Sequence, residues 1–379
     1  METYDCIVAG VGGAGSAALY HLAGRGERVL GLDRFAPGHD RGSSHGDTRI
    51  IRMAYFEHPD YVPLLKRAHS LWDELEEARG ERLRFETGLL QVGPEGGYIV
   101  EGVLRSAREH DLVVDKLSAA AAAERFDGFR LEDSMAGVYE KEAGYLLVES
   151  CVRAHAEEAV SLGARLKTGV SILQWRKHGD GVTVETDQGT FSAASLIITA
   201  GAWAPEFLEK LGVPLEVRRK HLYWFRCPGE RYRDSSGFPA FVFETGAGFF
   251  YGFPSIDAKS IKVARHSGGE RVEDPLDSNR DPDEEDLAAV RDFLVRHLPG
   301  VEADLTRHET CFYTCTPDEH FILGRHPDCE RVVFAAGLSG HGFKFTSVLG
   351  EMLACMATGE DHGLPIDFLA AGREGIRPR

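Results

Sequence analysis

The chain has 379 residues, 43% of them hydrophobic and 27% charged, enough for two domains or for one large domain with a second woven into it. Its net charge of −17 argues against nucleic acid and anionic membrane surfaces as main partners. A small anionic substrate is still allowed, because a local cluster of cations overrides the global field.

The first predicted element is "YDCIVA" (4–9), an apolar run of buried-strand type, followed by "GVGGAG" and a helix to about Arg25. "RVLGLD" (28–33) is a second strand that closes a β-α-β unit. In residues 61–79, Leu64, Leu65, Ala68, Leu71, Trp72 and Leu75 recur at helical spacing. Short strands and two alanine-rich helices are expected over 85–145, then a helix over 148–162. "GVTVETDQGTFSAASLIITAGAW" reads as a hairpin turning at "DQG", its second arm ending at Thr199. Between 213 and 266 strand-like runs dominate ("LEVRRKHLYWFRC", "PAFVFET", "GFFYGFP", "SIKVARH"), which predicts an antiparallel sheet. "DPDEEDLAAVRDFLVRHLPG" is a helix with an acidic first turn and a Pro-Gly stop. "RVVFAAG" is then a strand and "SVLGEMLACMATG" a helix.

This order predicts an α/β fold with two interleaved domains. Residues 1–84, 146–212 and 319–379 form a nucleotide-binding domain, and 85–145 and 213–318 a sheet-based cap over the substrate. Seven scattered cysteines, an odd number, read as reduced thiols of a cytosolic protein. No apolar run approaches the ~20 residues of a membrane helix. The N-terminus runs straight into a strand without a signal segment, and the terminal Arg-Pro-Arg is no peroxisomal address, so a cytoplasmic location is expected.

Gly10, Gly12 and Gly15 spell G-x-G-x-x-G between a strand and a helix, with Asp33 closing the next strand. The glycines make a tight turn, admit a pyrophosphate and let helix and strand pack closely, while Asp33 is placed to accept from a ribose 2′-hydroxyl. That pattern alone does not separate FAD from NAD. Cys311 and Cys315, followed by His320, look loosely like a metal-ligand set. "GSSHGDTRIIRMAY" (42–55) carries His45, Arg49 and Arg52, and taken by itself reads as a solvated loop. "GLSGHGFKFTSVLGE" (337–351) is a glycine-rich turn feeding a helix, with His341 and Lys344 inside it.

Together with "CFYTCTPDEHFILGRHP" and "YGFP" (251–254), these stretches strongly resemble the monomeric sarcosine oxidase family, which includes N-methyltryptophan and pipecolate oxidases. The similarity runs in order over essentially the whole chain. It implies a glutathione-reductase-like Rossmann domain that binds FAD, interleaved with an antiparallel-sheet substrate domain. It implies that the thiol of a C-x-Y-T motif, here Cys311, is bonded to the methyl group at flavin C8. Cys315 has no counterpart in the family, and the metal reading lacks four convergent ligands.

By the same resemblance Arg49 and His45 lie close to the flavin, and Arg49 is a candidate to favour the Cys311 thiolate. Arg52 and Lys344 would grip the substrate carboxylate. Tyr251 and His266 would shape the cavity, and Tyr313 shares a strand face with Cys311. Lys262 matches a lysine implicated in oxygen reduction, where a cation favours an anionic oxygen species. Backbone amides around Gly340, His341 and Gly342 would face the flavin pyrimidine, and Ser43, Thr48 and Val170 fall among the FAD contacts. The chain departs from the family pattern at Leu19, Met53 and Phe56, the last two near the arginines, where they bear on pocket size.

The implied reaction is oxidation of an N-methyl or cyclic secondary amino acid, sarcosine first, with O2 as acceptor and hydrogen peroxide as product. The alternatives are N-methyltryptophan or pipecolate as substrate, a flavin dehydrogenase serving a protein acceptor, and a catalytically silent nucleotide-binding protein. A monomer whose partners are a small amino acid and O2 is expected.

Overall fold

The computed structural model describes residues 2–376, so Met1 and the terminal Arg-Pro-Arg lie outside the described residues. Two large sheets and one small one organise the chain. In the first sheet, Thr3–Ala9 lies between Gly189–Ile198 and Val29–Leu32, parallel to both. Arg165–Lys167 extends one side in parallel. On the other side Gly189–Ile198 divides its edge between two partners. Its first half pairs with Gly181–Thr186 of the hairpin, and its last three residues pair in parallel with Cys329–Ala336.

Both faces of this sheet are covered, which explains the unbroken apolar runs. Cys6 and Val8 point into one core with Leu19, Leu22, Leu349 and Met352 of the first and last helices, Gly13–Gly24 and Thr346–Thr358. Tyr4, Ile7 and Ala9 alternate into a second core with Leu30, Leu196 and Phe334.

The second sheet has nine strands, and near one edge of it Glu216–Arg226 lies between Ser260–Arg265 and Leu305–Cys315. It is antiparallel as expected except where Ala240–Thr245 runs parallel to Leu89–Pro94. That pair comes from two distant parts of the chain, so a crossover and not a hairpin joins them. Alternation sorts the side chains strictly. Phe241, Phe243, Phe250, Tyr223, Phe225, Ile261 and Val263 pack away from the first sheet, under Val290, Phe293 and Leu294 of the helix Glu284–His297. Asp283 caps that helix by accepting from the Asp286 amide at 2.8 Å. The opposite face carries Leu222, Trp224, Val242, Tyr251, Cys311, Tyr313 and Cys315.

The small sheet joins Thr48–Ile51, Gly144–Leu147 and Arg84–Phe85. Residues 42–55 are therefore no solvated loop. His45, Thr48, Ile51, Arg52, Ala54 and Tyr55 are all buried, because this segment is the layer between the two large sheets. The two helices of 85–145 also differ from expectation. Ala119–Arg125 is alanine-rich, whereas Tyr98–His110 is amphipathic and buries Ile99, Val100 and Val103.

The first and last helices touch at Gly350, where a Cβ would lie 2.4 Å from Ala17 Cβ and 2.5 Å from its carbonyl carbon. Gly350→Ala should therefore destabilise the protein by roughly 1–3 kcal/mol through overpacking. The measurement is a urea transition whose midpoint falls while its slope is unchanged.

Candidate active site

The turn from the first strand into the first helix builds the floor of an elongated cleft. Gly15 allows the helix to lie on the strand end, since a Cβ there would meet Gly10 O at 1.8 Å. Gly12 faces open space, its nearest neighbour being Ser44 Oγ at 3.9 Å from a built Cβ. The helix that follows has no side-chain cap and no acid in its first turn, so its positive end is left for an anion. Asp33 accepts from the Val11 and Phe35 amides at 2.6 and 2.8 Å and so fixes the turn.

The cleft encloses about 1400 Å³, open mouth included. Gly10, Gly12, Asp33, Ser43, Arg49 and Val170 line one part, and Tyr313, Gly340 and Gly342 another. An open glycine edge and an uncapped helix end suit a dinucleotide pyrophosphate.

A second, smaller cavity, about 620 Å³ with its open mouth included, adjoins the first, and Arg49, Tyr313, Gly340 and Phe343 line both. Arg52, Lys344, Tyr251, His266 and His341 line it, together with Glu57. Arg52 Nη2 sits 2.6 Å from both Glu57 carboxylate oxygens, and Nη1 donates to Gln91 Oε1 at 3.1 Å. Its guanidinium carbon lies 4.2 Å from the Tyr55 ring centre and 4.1 Å from that of Phe56. Lys344 Nζ donates to His341 O at 2.8 Å. Burial, and then the neighbouring Arg52, pull the Lys344 ammonium down to about 7.

The two histidines of the cavity are held neutral. Burial first and then Lys220 lower His266 to about 3, and its Nδ1 is 3.2 Å from Tyr313 OH. Burial lowers His341 as well. Its Nε2 faces Glu319 O at 2.9 Å and must donate, so Nδ1 accepts from Tyr55 OH at 2.5 Å.

Lys262, Cys311, His45 and Thr48 lie behind the cavity walls. Lys262 Nζ donates to Gly46 O at 2.5 Å and Thr48 O at 2.9 Å, and packs against the Phe253 and Trp224 rings. Burial, then Arg49, lower its pKa well below the ordinary lysine value. Burial raises the Cys311 thiol, while Arg49, Lys262 and Lys220 pull it back down. His45 Nδ1 meets Glu309 Oε2 at 3.1 Å, and its buried Nε2 has no protein partner among the described residues. Arg49 donates to Thr48 O and Ser43 O at 2.9 and 3.0 Å. The loose metal set is split, since His320 Nδ1 turns to Tyr61 OH at 3.3 Å.

Three participants carry no local signal in the sequence. Glu57 is a single acid five residues beyond Arg52. Glu140, at a strand end, accepts from the Met53 and Ala54 amides at 2.6 and 3.0 Å and so pins the loop that bears Arg52. Lys220 is directly opposite Cys311 across two strands, a relation only the register shows.

Residues 5–356 match the FAD dependent oxidoreductase family. The chain is 40% identical over 374 residues to the monomeric sarcosine oxidase of Arthrobacter sp. (strain TE1826), covering 96% of this chain and 95% of that one. It is 39% identical over 371 residues to the N-methyl-L-tryptophan oxidase of Yersinia pestis (strain Pestoides F), covering 97% and 98%. Among solved structures it superposes on NikD, described as an unusual amino acid oxidase essential for nikkomycin biosynthesis. That match has a TM-score of 0.85 and 26% identity, with 98% of each chain covered. L-proline dehydrogenase from P. horikoshii shares the fold at a TM-score of 0.83 and 21% identity, covering 98% of this chain and 97% of that one.

The cavity should take up a proton when it binds a carboxylate. Lys344, lowered to about 7, binds an anion only as the ammonium. Propionate affinity should therefore be highest below that value and fall as pH rises through it. Calorimetry near ~pH 8 in buffers of different ionisation heat should show proton uptake on binding. Lys344→Met should abolish both the uptake and the pH dependence.

Proposed function

The chain belongs to the FAD dependent oxidoreductase family, and on that premise we propose that it oxidises secondary amino acids, N-methylated or cyclic, with O2 as acceptor. The observation that carries this reading is the convergence of Arg52 and Lys344 in a cavity that shares Arg49 and Tyr313 with the nucleotide cleft. A carboxylate would bind there beside the cleft whose residues would hold the cofactor. FAD held in the cleft would supply a hydride acceptor for the carbon beside nitrogen and a donor of electrons to O2. With sarcosine, the smallest member of the class, the reaction is sarcosine + O2 + H2O to glycine + formaldehyde + H2O2.

The residues have separable tasks. Arg52 offers a planar fork and Lys344 a point charge, so the carboxylate is fixed in both position and orientation. Glu57 holds that fork in the free protein, so the substrate carboxylate replaces an internal one and the guanidinium is never left unpaired. The two cations also favour the neutral amine, and no dedicated base is needed. Neutral His266 and Tyr313 close the cavity without adding charge. Cys311 is the residue we assign to the covalent tether, with Arg49, Lys262 and Lys220 supporting its thiolate.

Lys262 supports oxygen over a protein acceptor, because a buried cation stabilises the anionic species formed from O2. N-methyltryptophan and pipecolate remain the alternative substrates. We further assign the protein to the cytoplasm as a monomer, in line with its reduced thiols and with relatives named as monomeric sarcosine oxidases.

Peroxide release from sarcosine, N-methyltryptophan, pipecolate and proline tests the activity, and a colourless protein inert to all four would overturn it. Acid denaturation should leave yellow colour with the precipitated protein, and Cys311→Ala should release it while Cys315→Ala does not. Flavin that washes out of the wild type would remove the tether assignment.

Lys262→Met keeps side-chain length and removes the charge. It should still be bleached by substrate without oxygen, but recolour at least ~100-fold more slowly in air, the order expected for ~3 kcal/mol of lost stabilisation. Equal slowing of both half-reactions would point instead to a defect in flavin placement.

A further inference from the structure

The ammonium of Lys262 rests on two main-chain carbonyls that are held in different ways. Thr48 O belongs to a strand paired with Gly144–Leu147, and that pairing fixes it. Gly46 O, the nearer at 2.5 Å, lies outside the strand, in the turn that leads into it. Gly46 and Asp47 follow each other with φ of 85° and 67°, and the Thr48 amide donates back to Gly46 O at 2.8 Å. A hydrogen bond from Thr48 to Gly46 across a central residue of positive φ makes a γ-turn of the rare, strained form. The strain is greater because the central residue is an aspartate and not a glycine.

Such a conformation persists only where its surroundings over-determine it. One oxygen of Glu149 accepts from the Gly46 and Asp47 amides at 2.6 and 3.2 Å. The Val148 amide donates to Asp47 O at 2.9 Å. The Asp47 carboxylate accepts from Arg307 Nη1 at 2.7 Å, and Arg307 lies on Trp224, the indole that Lys262 also packs against. Gly46 itself has no room for a side chain, since a Cβ there would meet Leu222 Cδ1 at 2.4 Å. The amides of 46, 47 and 48 and the carbonyl of 47 are therefore all engaged. The remaining lone pair of Gly46 O is the one that Lys262 takes. Reversing the sign of φ at Asp47 would rotate the Gly46–Asp47 peptide plane and carry that carbonyl away from the ammonium.

We propose that Asp47 and Glu149 are positioning residues for the reaction with oxygen: they hold the strained turn whose carbonyl sets where the Lys262 ammonium stands. Neither lines the cleft or the second cavity. The inference rests on the assignment of Lys262 to the oxygen step.

The test uses the flavin-loaded protein, reduced with stoichiometric dithionite so that reoxidation in air is read without any amine substrate. Anaerobic bleaching is read separately, with whichever of sarcosine, N-methyltryptophan, pipecolate and proline reduces the wild type fastest. Asp47→Ala and Glu149→Ala should each slow reoxidation roughly tenfold and leave bleaching within about twofold of the wild type. Asp47→Asn is nearly isosteric, adopts positive φ readily and keeps an oxygen for Arg307, so it should reoxidise within about threefold of the wild type. Added to Lys262→Met, Asp47→Ala should slow reoxidation no further, because its effect passes through the ammonium. Additive slowing in that background, equal slowing in Asp47→Asn and Asp47→Ala, or wild-type reoxidation in both alanine variants overturns the positioning role. In each of these cases a slow Lys262→Met leaves the oxygen role of Lys262 standing. If Lys262→Met reoxidises at the wild-type rate, that role fails and the positioning falls with it.

Discussion

Three cations buried around one cavity have to recover the hydration they gave up, and much of the structure serves that requirement. Arg52, Lys262 and Lys344 are all 3–5% exposed, and an unpaired buried ammonium or guanidinium is too costly to persist charged. Main-chain carbonyls supply most of the replacement: Gly46 and Thr48 for Lys262, His341 for Lys344, Ala54 for Arg52. Only Arg52 has a full counter-charge, in Glu57. Carbonyls are neutral, so they solvate these groups without cancelling whatever charge they carry, and an anion that enters the cavity draws them toward their protonated forms.

Such solvation works only if the carbonyls cannot move away. The layer 42–55 is accordingly pinned at both ends. Glu149 accepts from the Gly46 and Asp47 amides at 2.6 and 3.2 Å, and Glu140 from those of Met53 and Ala54. Between these anchors, Thr48–Ile51 is paired with Gly144–Leu147. Two acids that touch neither cavity thus hold the geometry of those that do, by gripping amides and leaving carbonyls free to face the cations.

This division explains what could be read from the sequence. The strand-turn-helix with Gly10, Gly12 and Gly15 is local, and it emerged with its close approach and open edge where the spacing placed them. The hairpin turning at "DQG" and the capped acidic helix are local too. Residues 42–55 were ambiguous because their burial depends on a strand about a hundred residues away, and polar composition alone fits a solvated loop as well. Glu57, Glu140 and Lys220 escaped for the same reason: each acts through a partner whose position only the packed chain fixes. Similarity of motifs supplied Arg52 and Lys344 as a pair, but not the internal carboxylate that holds the arginine fork.

The interleaving of the two large sheets has a consequence for biosynthesis. The cleft is lined by Gly10 and Gly12 from the start of the chain and by Gly340, Gly342 and Thr346 from near its end. The parallel partner that completes the edge of Gly189–Ile198 is Cys329–Ala336. While the ribosome is still adding residues, the glycine turn is already made but has no opposite wall to close against. At about 5–20 residues per second, the growing chain spends tens of seconds with half a nucleotide site exposed. Flavin capture by the whole cleft therefore has to wait until Gly340, Gly342 and Thr346 have been made, and an apoprotein stage precedes it.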